Sequence, residues 1–379
     1  MIDDQVRHDR IDVVRNRLMA ERGLDMLLAY SDDPLDAGAV RYLTDFDVYA
    51  MYAIVVVPRR GDVALAFGMH HSAYLIRAKE TSRADYYLGT YQPGDLCRQL
   101  LLDCGTGGKA KIGLVGGTGM FSRIEADLRR SLPDATFSDV DANFWALCAG
   151  HSTQSQSDVL ARLRRSAAIC AESLEGGGRR WQASRSACEI AADIGLAARR
   201  RGADILNREM VRVALATGVP LPRHLSREPS SLQRPSDALA IEVRTSYRGL
   251  HAAAARTFCS NTGFDDDIKI IHDQHRSLCS LFKTGTKVGV ILDAARHNGG
   301  TAIAAMQPVE LGSGIGFSAR QEPILRPGSD TLLPAMSAFV CNTVRAHPHL
   351  GTVRFADTVL VTNGEGEILT DKTYDRART

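Results

Sequence analysis

Residues 240–258 read AIEVRTSYRGLHAAAARTF, a pair of strands joined by a short turn at Gly249. Glu242 falls at a buried-looking position of the first strand. A carboxylate there must find a cation or take up a proton. Arg244 lies on the same strand face under period-two alternation, so it is an expected partner. A purely structural ion pair is the plain alternative to a functional one.

Outward from this pair the chain repeats itself. A helix from about residue 155 and a second helix stopped by Gly202 precede the strands. Helices over 265–282 and 288–297 follow, and strand pairs at 337–344 and 353–362 close the sequence. Helix pair, strands, helix pair, strands is an internal two-fold echo that predicts an antiparallel sheet with helices on one face. Upstream, Ile11, Val14, Leu18 and Met19 share one helical face, Gly23 ends that helix, and DMLLAY reads as a buried strand. The run from Arg41 to Gly68 reads as strand, turn, strand, with 58–62 as the connection. The glycines of CGTGGKAKIGLVGGTGM flank a strand, and Lys109 is followed by Ala110, which fits turns and not a phosphate cradle.

Four segments resemble the pita-bread metallopeptidases, the superfamily of methionine aminopeptidase, proline dipeptidase and creatinase. The opening stretch resembles the pattern D-x-G, turn, G-Y-x-x-D-x-x-R-T-F, with Gly249, Arg256, Thr257 and Phe258 in register and the two metal-bridging aspartates at Glu242 and Ala253. GSGIGFSARQEP (312–323) resembles G-H-G-I-G-x-x-x-H-E-x-P, which places Ser313 at a ligand histidine and Arg320 at a substrate-contacting one. LLPAMSAFVCN places Cys341 at a ligand glutamate, and VRFADTVLVTN places Ala356 at the last. All five ligand positions are changed. The resemblance implies no metal site and no cofactor, because two bridging carboxylates are what let this fold make hydroxide near neutral pH. It also sets His224, in ATGVPLPRHLSREPSS, on the histidine that contacts substrate and moves a proton.

The implied fold is an α/β N-terminal domain of creatinase type over 1–150, which the YLTDF segment also resembles, followed by an α+β pita-bread domain over 151–379. Creatinase and ectoine hydrolase show that the fold can act without the peptidase metal centre. The implied function is a metal-independent enzyme acting on a small polar, carboxylate-bearing metabolite, by C–N bond hydrolysis or a lyase or rearrangement step in a biosynthetic pathway. His224, Glu242 and Cys341 are its candidate catalytic groups. Arg320, Arg244, Ser313 and Arg41 are the candidate substrate-binding groups. The rival is a non-catalytic pita-bread protein serving as a binding or dimerisation module.

Cys341 is expected inside the pocket, as a nucleophile beside His224 or as an inert buried thiol. His347 and His349 are expected at the pocket mouth. His272 and His275 share a helical turn and read as a solvated face. Resemblance to creatinase implies a homodimer in which Arg41, His70 or His71 reaches the partner's pocket.

Composition bounds the rest. With 379 residues the chain is long enough for two or three cores, and 44% hydrophobic and 24% charged residues are ordinary for a soluble protein. A net charge of +2 without an aromatic-interleaved basic stripe gives no reason to expect nucleic acid. The arginines at 162, 164, 165 and 199–201 read as solvated faces or carboxylate pairs. Eight cysteines without a C-x-x-C pair, no apolar run of membrane length and a charged N-terminus lead to the expectation of a cytoplasmic protein with reduced thiols.

Overall fold

The computed structural model describes residues 4–33, 37–49, 51–106, 109–150, 154–179, 187–204, 211–215, 238–297 and 311–371. The chain divides into two compact units, Met1–Ser157 with Arg320–Glu322, and Asp158–Ala319 with Pro323–Thr379.

In the first unit α1 (Asp4–Val13) runs through a π-helical turn, Val14–Met19, into α2 (Ala20–Arg22). Gly23 ends it at φ 63°, the left-handed value glycine tolerates. The elements β1 (Met26–Ser31), α3 (Gly38–Thr44), β2 (Ala53–Pro58), β3 (Ala64–Phe67), α4 (Ser72–Thr81) and β4 (Tyr86–Gly89) follow. They lead to α5 (Gly94–Asp103), β5 (Lys111–Val115), α6 (Ser122–Ser131), β6 (Thr136–Asp139) and α7 (Asp141–Gly150). The sheet has the order β4-β3-β2-β1-β5-β6, with β1 antiparallel to β2 and parallel to β5. Ile11, Val14, Leu18 and Met19 are all buried, as their helical spacing predicts. Residues Arg41 to Thr44, expected to begin a strand, instead belong to α3, whose residues are all buried. A short apolar run buried on every side has no polar alternation to separate strand from helix.

The second unit contains α8 (Gln154–Arg179), α9 (Ala187–Arg200), β7 (Val211–Leu215), β8 (Ala238–Tyr247), β9 (Leu250–Cys259), α10 (Asp265–Cys279) and α11 (Val288–His297). Then come β10 (Gly312–Ile315), β11 (Gln321–Leu325), β12 (Ala338–His347), β13 (Gly351–Leu360) and β14 (Glu367–Ile368). The sheet order is β11-β10-β12-β13-β9-β8-β7, with β14 beside β13. The β8–β9 hairpin turns on Arg248 and Gly249, both at positive φ, the geometry a two-residue loop needs to match strand twist. Asp204 clamps it, accepting hydrogen bonds from both turn amides at 3.1 and 2.9 Å.

One face of this sheet carries the helices. Ile241, Val243, Ala252 and Ala254 cluster with Ala167, Cys170 and Leu174 of α8 and with Ile190 and Ile194 of α9. Phe339, Cys341 and Val359 cluster with Leu278 and Cys279 of α10 and with Val288 and Ile291 of α11. Alternation sends the intervening residues, among them Glu242, Arg244, Ala253, Arg354 and Ala356, to the opposite face. Among the described residues no helix is long and apolar enough to cross a membrane.

Candidate functional site

On the face opposite the described helices, cross-strand register aligns Glu242 of β8 with Ala255 of β9, Ala255 with Ala356 of β13, and Ala356 with Asn342 of β12. Residues directly opposite one another in neighbouring strands project to the same side. Glu242 is buried, 6% exposed. Its Oε1 accepts from Arg244 Nε at 2.9 Å, and its Oε2 lies 2.8 Å from Arg354 Nη1. Arg354 Nη2 donates to Asn342 Oδ1 at 3.2 Å, while its buried Nε–H meets no partner among the described residues. The side chains of Arg244 and Arg354 are 24% and 31% exposed. One carboxylate thus sits between two guanidinium groups.

The residues expected at metal-ligand positions do not form a donor set for a pair of divalent cations. Ala253 and Ala356 offer no lone pair, Ser313 offers a neutral hydroxyl, and Glu242 is committed to its arginines.

Cys341, expected inside the pocket, lies on the other face. It pairs with Asp357 of β13 and packs fully buried under the α10 and α11 side. A shift of one position along a strand exchanges faces, and the register puts Asn342 in line with Ala356 instead. Ser313 is buried on β10 opposite Val340, on the Glu242 face. Arg320 is exposed in the turn between β10 and β11 and groups with the first unit. Arg41 is buried in α3, and its guanidinium Nε and Nη2 both donate to Asp47. His71 caps α4, accepting from Ala73 N, and His70 packs edge-on against Tyr91. His224 lies outside the described residues.

His347 stands at the β12–β13 hairpin, its Nε2 3.1 Å from Asp267 Oδ2 and its ring against Phe264, with His349 stacked on the same phenyl ring. The expectation of a solvated His272 and His275 is overturned. His272 is 8% exposed and His275 fully buried, because the face of α10 that bears them packs on β12 and β13. Arg162 and Arg164 do pair with carboxylates, Asp158 and Glu367.

Arg354 and Asn342 are the residues the sequence reading passed over. Arg354 was open to the same alternation that singled out Arg244, but its partner is distant in the chain.

Residues 161–363, more than half of the chain, match the description Metallopeptidase family M24. The chain belongs to this family. Solved structures of like fold agree with that assignment while sharing little sequence. A prolidase from Thermococcus sibiricus is 15% identical, with a TM-score of 0.77 and 99% of each chain covered. The dipeptidase PepE from Mycobacterium ulcerans is 16% identical, with a TM-score of 0.76 and 98% of each chain covered. The N-terminal domain of the FACT complex subunit SPT16 from chickpea, Cicer arietinum, is 14% identical, with a TM-score of 0.71, covering 98% of this chain and 97% of that one. No curated protein matches by sequence. The architecture is therefore that of the two-domain pita-bread proteins, an α/β N-terminal domain followed by an α+β domain built on the antiparallel sheet.

Proposed function

We propose that this M24 member is a metal-independent enzyme that binds a small carboxylate-bearing polar metabolite on the face of the antiparallel sheet opposite the described helices. Family membership relates the chain to peptidases, which are hydrolases as a class, so C–N bond hydrolysis is the leading reaction. A lyase or rearrangement step in a biosynthetic pathway is the nearest alternative chemistry. The observation that carries this reading is the Glu242 carboxylate held between Arg244 and Arg354. Two guanidinium groups supply positive charge at the place where the family would hold cations. Planar guanidinium donors suit a carboxylate better than a compact ammonium does. The unpartnered Nε–H of Arg354 leaves a donor for such an anion. In this scheme His224 moves the proton, and Glu242 orients the two arginines.

The test is a thermal-shift screen of small carboxylic acids bearing amide, ureido or guanidino groups, followed by NMR detection of conversion. His224→Ala should lower turnover roughly 100- to 10,000-fold, the range for a lost general acid or base. Arg354→Gln should weaken binding of the same ligand roughly 10- to 100-fold. Added Mn2+ or Co2+ should leave turnover unchanged; stimulation by either would return the chain to the family's metal chemistry. The rival reading, a non-catalytic module in a homodimer or larger complex, draws on the like-fold SPT16 domain, which is described as part of a complex subunit. A tight ligand that is never converted, and whose binding ignores His224→Ala, would favour that rival.

A further inference from the structure

Beneath the sheet, away from the Glu242 face, His275 and Cys279 of α10 and Cys341 of β12 converge with their ligand atoms all within 4.8 Å of one another. His275 and Cys279 are four residues apart and so project from one helical face. All three residues are fully buried. We propose that they form a structural binding site for one thiolate-preferring divalent cation, zinc foremost, separate from the pocket of the proposed function and independent of that reading.

Two observations carry this beyond the convergence itself. The Cys279 Sγ to His275 Nε2 separation is 3.5 Å. Two tetrahedral ligands at zinc bond lengths of about 2.3 Å for sulfur and about 2.0 Å for nitrogen stand roughly 3.5 Å apart. The imidazole is also oriented for ligation. Its Nδ1 is 2.8 Å from the Thr343 hydroxyl, which can accept the Nδ1 proton and so free Nε2 for a cation once Nε2 gives up the proton it shares with Asp357. Asp357 Oδ2, 3.0 Å from the same Nε2, stands outside the group of three ligand atoms, so the fourth position is left to a small ligand such as water.

Charge balance agrees. Arg256 Nη2 donates to Asp357 Oδ1 at 2.8 Å, a buried pair that is neutral as a unit. A dication with two thiolates and a neutral imidazole adds no net charge to the interior. Binding would release the two thiol protons, and the buried position implies loading during folding. A cation here would tie α10 to the centre of the sheet.

Protein purified without chelator should contain about one zinc per chain by elemental analysis. Cys279→Ser and Cys341→Ser should each lose it, whereas Glu242→Gln and the surface-side Cys104→Ser should retain it. Because the cysteine variants can fail to fold, cobalt-loaded wild-type protein provides a second readout: near-ultraviolet thiolate-to-cobalt charge-transfer absorption is expected. Absence of that absorption overturns the site, as does a disulfide between Cys279 and Cys341 in the purified protein. Metal that persists in a folded double cysteine variant, or that disappears in folded Glu242→Gln, overturns it too.

Discussion

Glu242, buried, and Asp141, half-buried, show how differently two carboxylates are managed. Glu242 faces two arginines, from β8 and β13, one through a hydrogen bond to Oε1 and one through charge at Oε2. Among the described residues Asp141, at the start of α7, has only the Gly116 amide, whose N–H donates to both carboxylate oxygens at 3.1 and 3.2 Å. Burial pushes its carboxyl up to about 6, and the negative neighbours Asp139 and Glu322 push the same way against that hydrogen bond. A carboxyl raised in the folded state favours folding when protonated. Its contribution therefore declines as pH rises from the unfolded value near 4 through about 6. Asp141→Asn keeps an acceptor for the Gly116 amide without the charge. It should unfold at higher urea than wild type at about pH 7.5 and differ little near pH 4. Equal midpoints at both values would mean that solvent reaches this carboxyl freely.

Among the elements, β10 makes the closest backbone approach. A Cβ on Gly312 would lie 1.7 Å from the Val340 carbonyl oxygen of β12. That obstacle is backbone and cannot rotate away, so Gly312→Ala must part β10 from β12 or bend both. Destabilisation at or above the ~1–3 kcal/mol of ordinary overpacking is expected, read by urea unfolding. Ser313 would be displaced with the strand, so the same variant should also weaken ligand binding on the Glu242 face. A wild-type midpoint would show that the strand pair yields at little cost. Element by element, amphipathic and alternating segments were legible in the sequence, as with the first helix and the β8–β9 hairpin. The α3 segment was not, because burial on all sides removes the alternation that a reader uses.

For the whole molecule, the resemblance to creatinase implies a homodimer, and light scattering at micromolar concentration is the direct check. A monomer there would remove any part for Arg41 or His70 in a partner's pocket. Arg41 is already engaged by Asp47 within its own unit, so Arg41→Ala should act through the stability of that unit.

The two-domain layout and the antiparallel sheet with helices on one face followed from the sequence alone. Each depends on local spacing and on motifs a few residues long. The pairing of Glu242 with Arg244 was legible for the same reason, being two residues apart on one strand. Arg354 as the second partner was not, since it reaches Glu242 from another strand. The place of Cys341 was decided only by the fold. Side-chain direction in a sheet reverses with every residue, so the hydrogen-bond register between β12 and β13 chooses between pocket and core. That same register, together with the packing of α10, brings Cys341 to Cys279 and His275. Such convergence belongs to the tertiary structure, because segments distant in the chain meet only when the sheet and its helices have packed.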